Sequence, residues 1–268
     1  MKLQEEFKDS GFTIVATHVQ NATKDQVLGF LRSNKVNYTV TSFGEVPGEK
    51  VNGIPAAFLF DSKGNLVESG HPTGMKAKIQ ELVASSPHWL AAGREYTKLK
   101  PVAESLKKAK AYGPILKKLE SEKKAGGAAA EEAEYLSGRI LEQGKKRLAE
   151  AKALETEDAV GANLAYTDVA NRWKGSEPGT EAASRLKELK SDKEFQTELK
   201  ASTMARQILA ECEKLVPVQG KINLEYASNK KIAAQVRAMV PALKKKYPDT
   251  KAAAKISSQL ESYGFKGL

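Results

Sequence analysis

The sequence predicts two folds in succession: an α/β domain over residues 1–86, a helical, lysine-rich connector over 87–127, and an all-α domain of helix pairs over 128–268. Three observations predict this. Residues 1–90 hold nine Lys+Arg and nine Asp+Glu while residues 91–268 hold 34 and 24, so the whole net charge of +10 falls in the second part. In the first part, short β-branched and aromatic runs alternate with helical stripes. From Ala128 onward the chain reads as helix after helix.

Leu3 and Phe7, four apart, mark a short helix from Lys2 to Lys8, ended by Asp9-Ser10-Gly11. Phe12 to Val19 is β-branched and predicts a strand. Thr23 is placed to cap a helix from about Lys24 to Ser33, with Val27, Leu28 and Leu31 on its inner face. Tyr38 to Thr41 is a second short strand. Pro47-Gly48 and Gly53 make Phe43 to Ile54 a loop. Ala57 to Phe60 is a continuous apolar strand, Asp61 to Gly64 a hairpin turn, Asn65 to Ser69 the return strand. A closing helix runs from about Gly74 to Ala84.

Three stretches of this half resemble the thioredoxin superfamily, specifically its TlpA/ResA-like branch: Gly53-Ile54-Pro55 leading into an apolar strand, the hairpin Phe58-Leu59-Phe60-Asp61 with Lys63-Gly64, and Gly70 before the last helix. The resemblance covers residues 1–86. It implies a cis bond before Pro55 and a peptide-docking edge formed by Gly53, Ile54 and Pro55. It also implies an exported protein, although Met1 to Gly11 carries no apolar core or cleavage site of a signal peptide. The family's central strand and its CxxC pair have no counterpart here, and the only cysteine is Cys212. As written, the chain is therefore expected to run no dithiol chemistry. An upstream start, a fragment, or strand addition by another segment or a second copy at the exposed sheet edge would each account for the gap.

Ser85-Ser86-Pro87 marks the boundary. Lys98 to Lys124 then carries nine lysines against three glutamates. Lys107, Lys108, Lys110, Lys117 and Lys118 are the candidate basic contact surface, read first as a solvated helix face and otherwise as a docking surface for anions. Arginine is scarce there and Tyr112 is the one aromatic, which argues against specific nucleic-acid readout.

In the last part, helices are expected from Ala128 to Leu154, from Thr156 to Trp173, from Thr180 to Lys190, from Asp192 past Leu209, from Ile222 to Lys246 and from Thr250 to Tyr263. Thr180-Glu-Ala-Ala-Ser-Arg-Leu186 parallels Thr250-Lys-Ala-Ala-Ala-Lys-Ile256 at an offset of 70 residues, with Trp173 and Tyr247 ahead of them. Tyr247-Pro248-Asp249-Thr250 resembles the helix-pair boundary of tetratricopeptide proteins, whose arrays present surfaces to partner proteins.

Several chemistries find no support. The histidines His18, His71 and His88 lack metal-ligand spacing, and one cysteine excludes a cysteine-based zinc site. There is no GxGxxG and no GxxxxGK[ST]. No apolar run reaches the roughly eighteen residues of a membrane span. Cys212 lies between Glu211 and Glu213, which should raise its pKa and leave it an inert packed thiol. No catalytic residue, cofactor or metal is assigned. The expected function is a non-catalytic thioredoxin-like protein with a helical protein-interaction domain. The alternative is part of an exported TlpA-like thiol–disulfide oxidoreductase whose CxxC lies ahead of residue 1. Non-specific anion or nucleic-acid binding by the basic helical half ranks below both.

Overall fold

Local capping sets most element starts. Thr23 Oγ1 accepts from the Gln26 amide (3.3 Å) while Gln26 Oε1 accepts from the Thr23 amide (2.9 Å), a reciprocal capping box that begins a helix at Lys24. The computed structural model describes residues 2–7, 10–19, 21–34, 36–42, 44, 46, 48–49, 51, 53–218 and 221–267. Within them the chain forms two compact units. One comprises Met1–Ala109 and Leu119–Arg139, the other Lys110–Lys118 and Ile140–Leu268.

The first unit contains α1 (Lys2–Phe7), β1 (Val15–His18), α2 (Lys24–Ser33), β2 (Thr39–Ser42), β3 (Ala57–Phe60), β4 (Leu66–Gly70), α3 (Lys76–Ser85) and α4 (Lys100–Ser105). This is a mixed α and β arrangement, as the alternating pattern predicts. β1 pairs with β2 in parallel, Val15 opposite Thr39 and His18 opposite Ser42. β3 pairs with β4 antiparallel, Ala57 opposite Gly70, with an irregularity between Leu59 and Phe60. Among the described residues these remain two separate two-stranded sheets. The Asp61 carboxylate makes the hairpin turn by accepting from the amides of Lys63 (2.8 Å) and Asn65 (2.9 Å). Leu59, Met75 and Ile79 form a small core, against which Leu3, Phe7 and Phe12 pack. The Gln4 side chain of α1 is hydrogen-bonded to the backbone ahead of β1, accepting from the Ile14 amide (2.9 Å) and donating to the Phe12 carbonyl (3.4 Å).

Helices α5 (Gly113–Ala125) and α6 (Gly127–Leu154) each contribute residues to both units. The second unit continues with α7 (Ala159–Arg172), α8 (Glu177–Ser191), α9 (Lys193–Cys212), the short strands β5 (Pro217–Val218) and β6 (Lys221–Ile222), α10 (Ala227–Lys246) and α11 (Lys251–Glu261). No helix among the described residues is long and apolar enough to cross a membrane.

Three helix starts differ from expectation: the helix expected from Ile222 begins only at Ala227, because Ile222 is taken up in β6, and two others shift at their caps. The helix expected from Thr156 is capped by Asp158, whose carboxylate accepts from the Gly161 amide at 3.0 Å. The helix expected from Thr180 begins at Glu177 instead, with Pro178 in its first turn. Proline tolerates that position because the missing N–H would have no partner there. Gly179 follows, buried so close to the Trp173 carbonyl that a Cβ would collide with it. Thr180 is thus inside the helix, whereas Thr250 is a true cap, its Oγ1 accepting from the Ala253 amide.

The repeat therefore has a different register. Trp173 and Tyr247 are the C-caps of α7 and α10, 74 residues apart, and four residues after each the next helix begins. At this offset the buried positions of α7, namely Ala159, Ala162, Tyr166 and Val169, fall on Ala233, Val236, Val240 and Leu243 of α10, all buried. Gly179 and Ala182 of α8 fall on Ala253 and Ile256 of α11 in the same way. The buried positions of α7–α8 and α10–α11 thus share one spacing, which the alanine-rich string places 4 residues out of register, although α7 packs chiefly on α8 while α10 and α11 each pack chiefly on α9. Asp192 caps α9 as expected, accepting from the Phe195 amide at 3.0 Å.

Candidate functional sites

The segment Gly53-Ile54-Pro55 lies directly ahead of β3, and all three residues are exposed. The Ile54–Pro55 peptide bond is cis. Ile54 exposes 56% of its surface, a large apolar side chain held in water at the end of a strand. The stretch of sequence around it exposes several large apolar side chains. Of the ten large apolar side chains exposed among the described residues, seven are Val15, Val19, Phe30, Val51, Ile54, Phe60 and Leu66. In the same region Leu59 is the one buried apolar side chain before Met75 among the described residues. β1 and β3 each have one edge without a strand partner among the described residues. A two-stranded parallel sheet is ordinarily buried within a larger one; here β1–β2 is a sheet of two strands among the described residues.

The five candidate lysines do not share one unit. Lys107 and Lys108 belong to the first, Lys110, Lys117 and Lys118 to the second. All five are exposed. Lys107 also holds a helix end in place. Its ammonium donates to the Ala84 carbonyl at 2.7 Å, in the last turn of α3, where cations are favoured by the helix dipole.

Other polar groups were not legible as sites and act as anchors. Glu132 on α6 is only 3% exposed. Its carboxylate accepts from the amides of Thr97 (2.9 Å), Lys98 (3.1 Å) and Leu99 (2.7 Å) and from the Thr97 hydroxyl (2.8 Å). It thereby fixes the segment leading into α4 from a distant part of the chain. Burial pushes its carboxyl up, but the donors at Thr97, Leu99 and Lys98 outweigh that and hold its pKa at about 2. In the second unit the Arg185 guanidinium grips the Glu155 carboxylate with two bonds (2.6 and 3.0 Å), and the Tyr166 hydroxyl donates to the same carboxylate. The Arg185 bond lowers the Glu155 pKa, while burial and then Glu155 raise that of Tyr166. A phenol that holds its proton this firmly is a tether rather than an acid. Asn229 is fully buried and closes the β5–β6 loop: its amide group donates to the carbonyls of Val216 (2.9 Å) and Asn223 (2.8 Å) and its oxygen accepts from the Val216 amide (2.8 Å).

Cys212 is 1% exposed in the core of α9–α11. Burial first, then Glu211 and Glu213, push its thiol up to about 12. Among the described residues no group of three or more His, Cys, Asp or Glu side chains is placed to hold a metal ion. No family model, curated protein or solved structure matches this chain.

Proposed function

We propose that the chain is a non-catalytic binding module, in which a thioredoxin-like segment over residues 1–86 captures extended polypeptide and a helical array over 128–268 engages partner proteins. One observation carries this reading: apolar side chains concentrate on the outside of residues 15–66, beside strand edges that have no partner among the described residues. An added strand would complete the hydrogen-bond ladders of β1 or β3 and cover Val15, Ile54 or Phe60. Covering each such side chain fully contributes roughly 1.5–3 kcal/mol. The test is a titration of the full chain with labelled extended peptides rich in valine, isoleucine and tyrosine, read by fluorescence anisotropy. Saturable binding that Ile54→Glu weakens at least about tenfold supports the reading. Absence of binding across the panel overturns it.

The same two separate sheets favour a second reading, that residues 1–86 belong to an exported TlpA-like thiol–disulfide oxidoreductase whose CxxC strand is encoded ahead of residue 1. A strand inserted between β1 and β3 would join the two pairs into one sheet. Reading the codons upstream of Met1 decides it: a hydrophobic strand followed by CxxC supports this alternative, and an immediate stop codon removes it.

A further inference from the structure

A groove runs between α9 and the end of α10 in the second unit, with a volume of about 470 Å³. Its floor is apolar and half-buried: Leu199, Met204, Met239 and Tyr247. Its charged lining is cationic alone, Lys200 on one side and Lys246 on the other, with no acidic residue. Lys246 is exposed, and its ammonium sits 5.4 Å from the centre of the Tyr247 ring, so its charge lies beside the apolar floor. Thr203 and Gln207 add hydrogen-bonding groups along the same side of α9.

The nearby carboxylate is already engaged and does not neutralise the lysines. Glu198 turns to the start of α11, accepting from the amides of Lys251 (2.8 Å) and Ala252 (3.0 Å). That start lacks an acidic residue in its first turn, and Glu198 supplies the negative charge a helix N-terminus favours. The Glu198 carboxylate is thus directed to α11 and is not part of the groove lining.

Resting on the reading of the helical half as a protein-interaction domain, we infer that this groove binds a short acidic peptide segment of a partner protein, which seats one apolar side chain between Met204, Met239 and Tyr247 and sets flanking carboxylates on Lys200 and Lys246. Methionine suits such a floor because its unbranched, polarizable side chain repacks around different anchors. The volume lies within the roughly 300–1,000 Å³ of ordinary ligand sites. A polyanion such as nucleic acid would use the two lysines but would leave four apolar side chains without a partner, so a peptide is favoured.

The sequence has four methionines, Met1, Met75, Met204 and Met239. Labelling their methyl groups with carbon-13 places two reporters in the groove, Met204 and Met239, with Met204→Leu and Met239→Leu assigning their signals. The full chain is titrated with a pool of short Glu-rich peptides bearing a single Leu, Met or Phe, with the matching Lys-rich pool, and with a DNA duplex. The proposal predicts saturable shifts of the Met204 and Met239 methyls with the Glu-rich pool, and none at Met75. Replacing both rim lysines (Lys200→Glu with Lys246→Glu) should weaken that binding at least about tenfold and favour the Lys-rich pool. Glu-rich peptides that bind without moving Met204 and Met239 would overturn the groove and leave the interaction-domain reading standing. No binding of either pool would overturn both. Equal shifts with DNA would replace the peptide with a general anion.

Discussion

Replacing Glu132 by glutamine removes a buried negative charge while keeping its shape. The carboxylate faces four donors on three consecutive residues, Thr97 to Leu99, and its pKa of about 2 lies below the ordinary value of 4.5. That difference corresponds to about 3 kcal/mol of stability in the charged form. Because the folded pKa is depressed, this contribution is fully present above pH ~4.5 and is lost as the pH falls towards 2. At pH 3 about 1.4 kcal/mol of it should survive by the same linkage. The assay is urea unfolding of the full chain at pH 7 and pH 3, followed by Trp89 fluorescence in a Trp173→Phe background, since Trp89 lies in the same unit as Glu132. Glu132→Gln should be less stable by about 3 kcal/mol at pH 7, and the gap should shrink by about half at pH 3. A variant as stable as its parent at pH 7, or a gap that does not narrow with acid, would refute the assignment of Glu132 as a charged anchor.

Asn229→Ala should destabilise the second unit by roughly 1–3 kcal/mol, because it removes three part-buried hydrogen bonds, to the Val216 amide and carbonyl and the Asn223 carbonyl; thermal unfolding followed at Trp173 checks it. Cys212, with a thiol pKa of about 12, should react with a disulfide reagent at pH 8 on the order of a thousandfold more slowly than an unfolded thiol. Since that pKa is raised in the fold, stability should be full below about pH 8.5 and decline as the pH rises above it, by up to about 1.4 kcal/mol per unit. Urea titrations of parent and Cys212→Ala at pH 8 and pH 10 measure that decline, which the variant should lack.

Local chemistry was legible in the sequence, and distant partnership was not. The Thr23–Gln26 box, the Asp61 turn and the Asp192 cap use groups within a few residues of each other, so spacing alone exposes them. Glu132 reads as one more acid on a charged helix, because its donors lie 33–35 residues away. Leu164, though apolar, is 58% exposed on α7, which composition alone does not reveal. The string Thr-x-Ala-Ala drew the repeat to an offset of 70, whereas Pro178 in the first turn of α8 was the signal that would have set it at 74. The groove between α9 and α10 joins residues some forty positions apart, and only the packing of the helices brings Met204 to Met239. The exposed Gly53-Ile54-Pro55 edge was legible, because three adjacent residues carry it.

Whether residues 15–60 complete themselves on another polypeptide strand is open to hydrogen–deuterium exchange of the full chain, with and without a saturating extended Val/Ile/Tyr-rich peptide. If they do, exchange slows at the amides of Val15–His18 or Ala57–Phe60, the strands whose edges have no partner among the described residues, and Ile54→Glu removes the effect. Unchanged exchange in both strands at saturating peptide, or slowing confined to the helices of the second unit, would contradict strand capture.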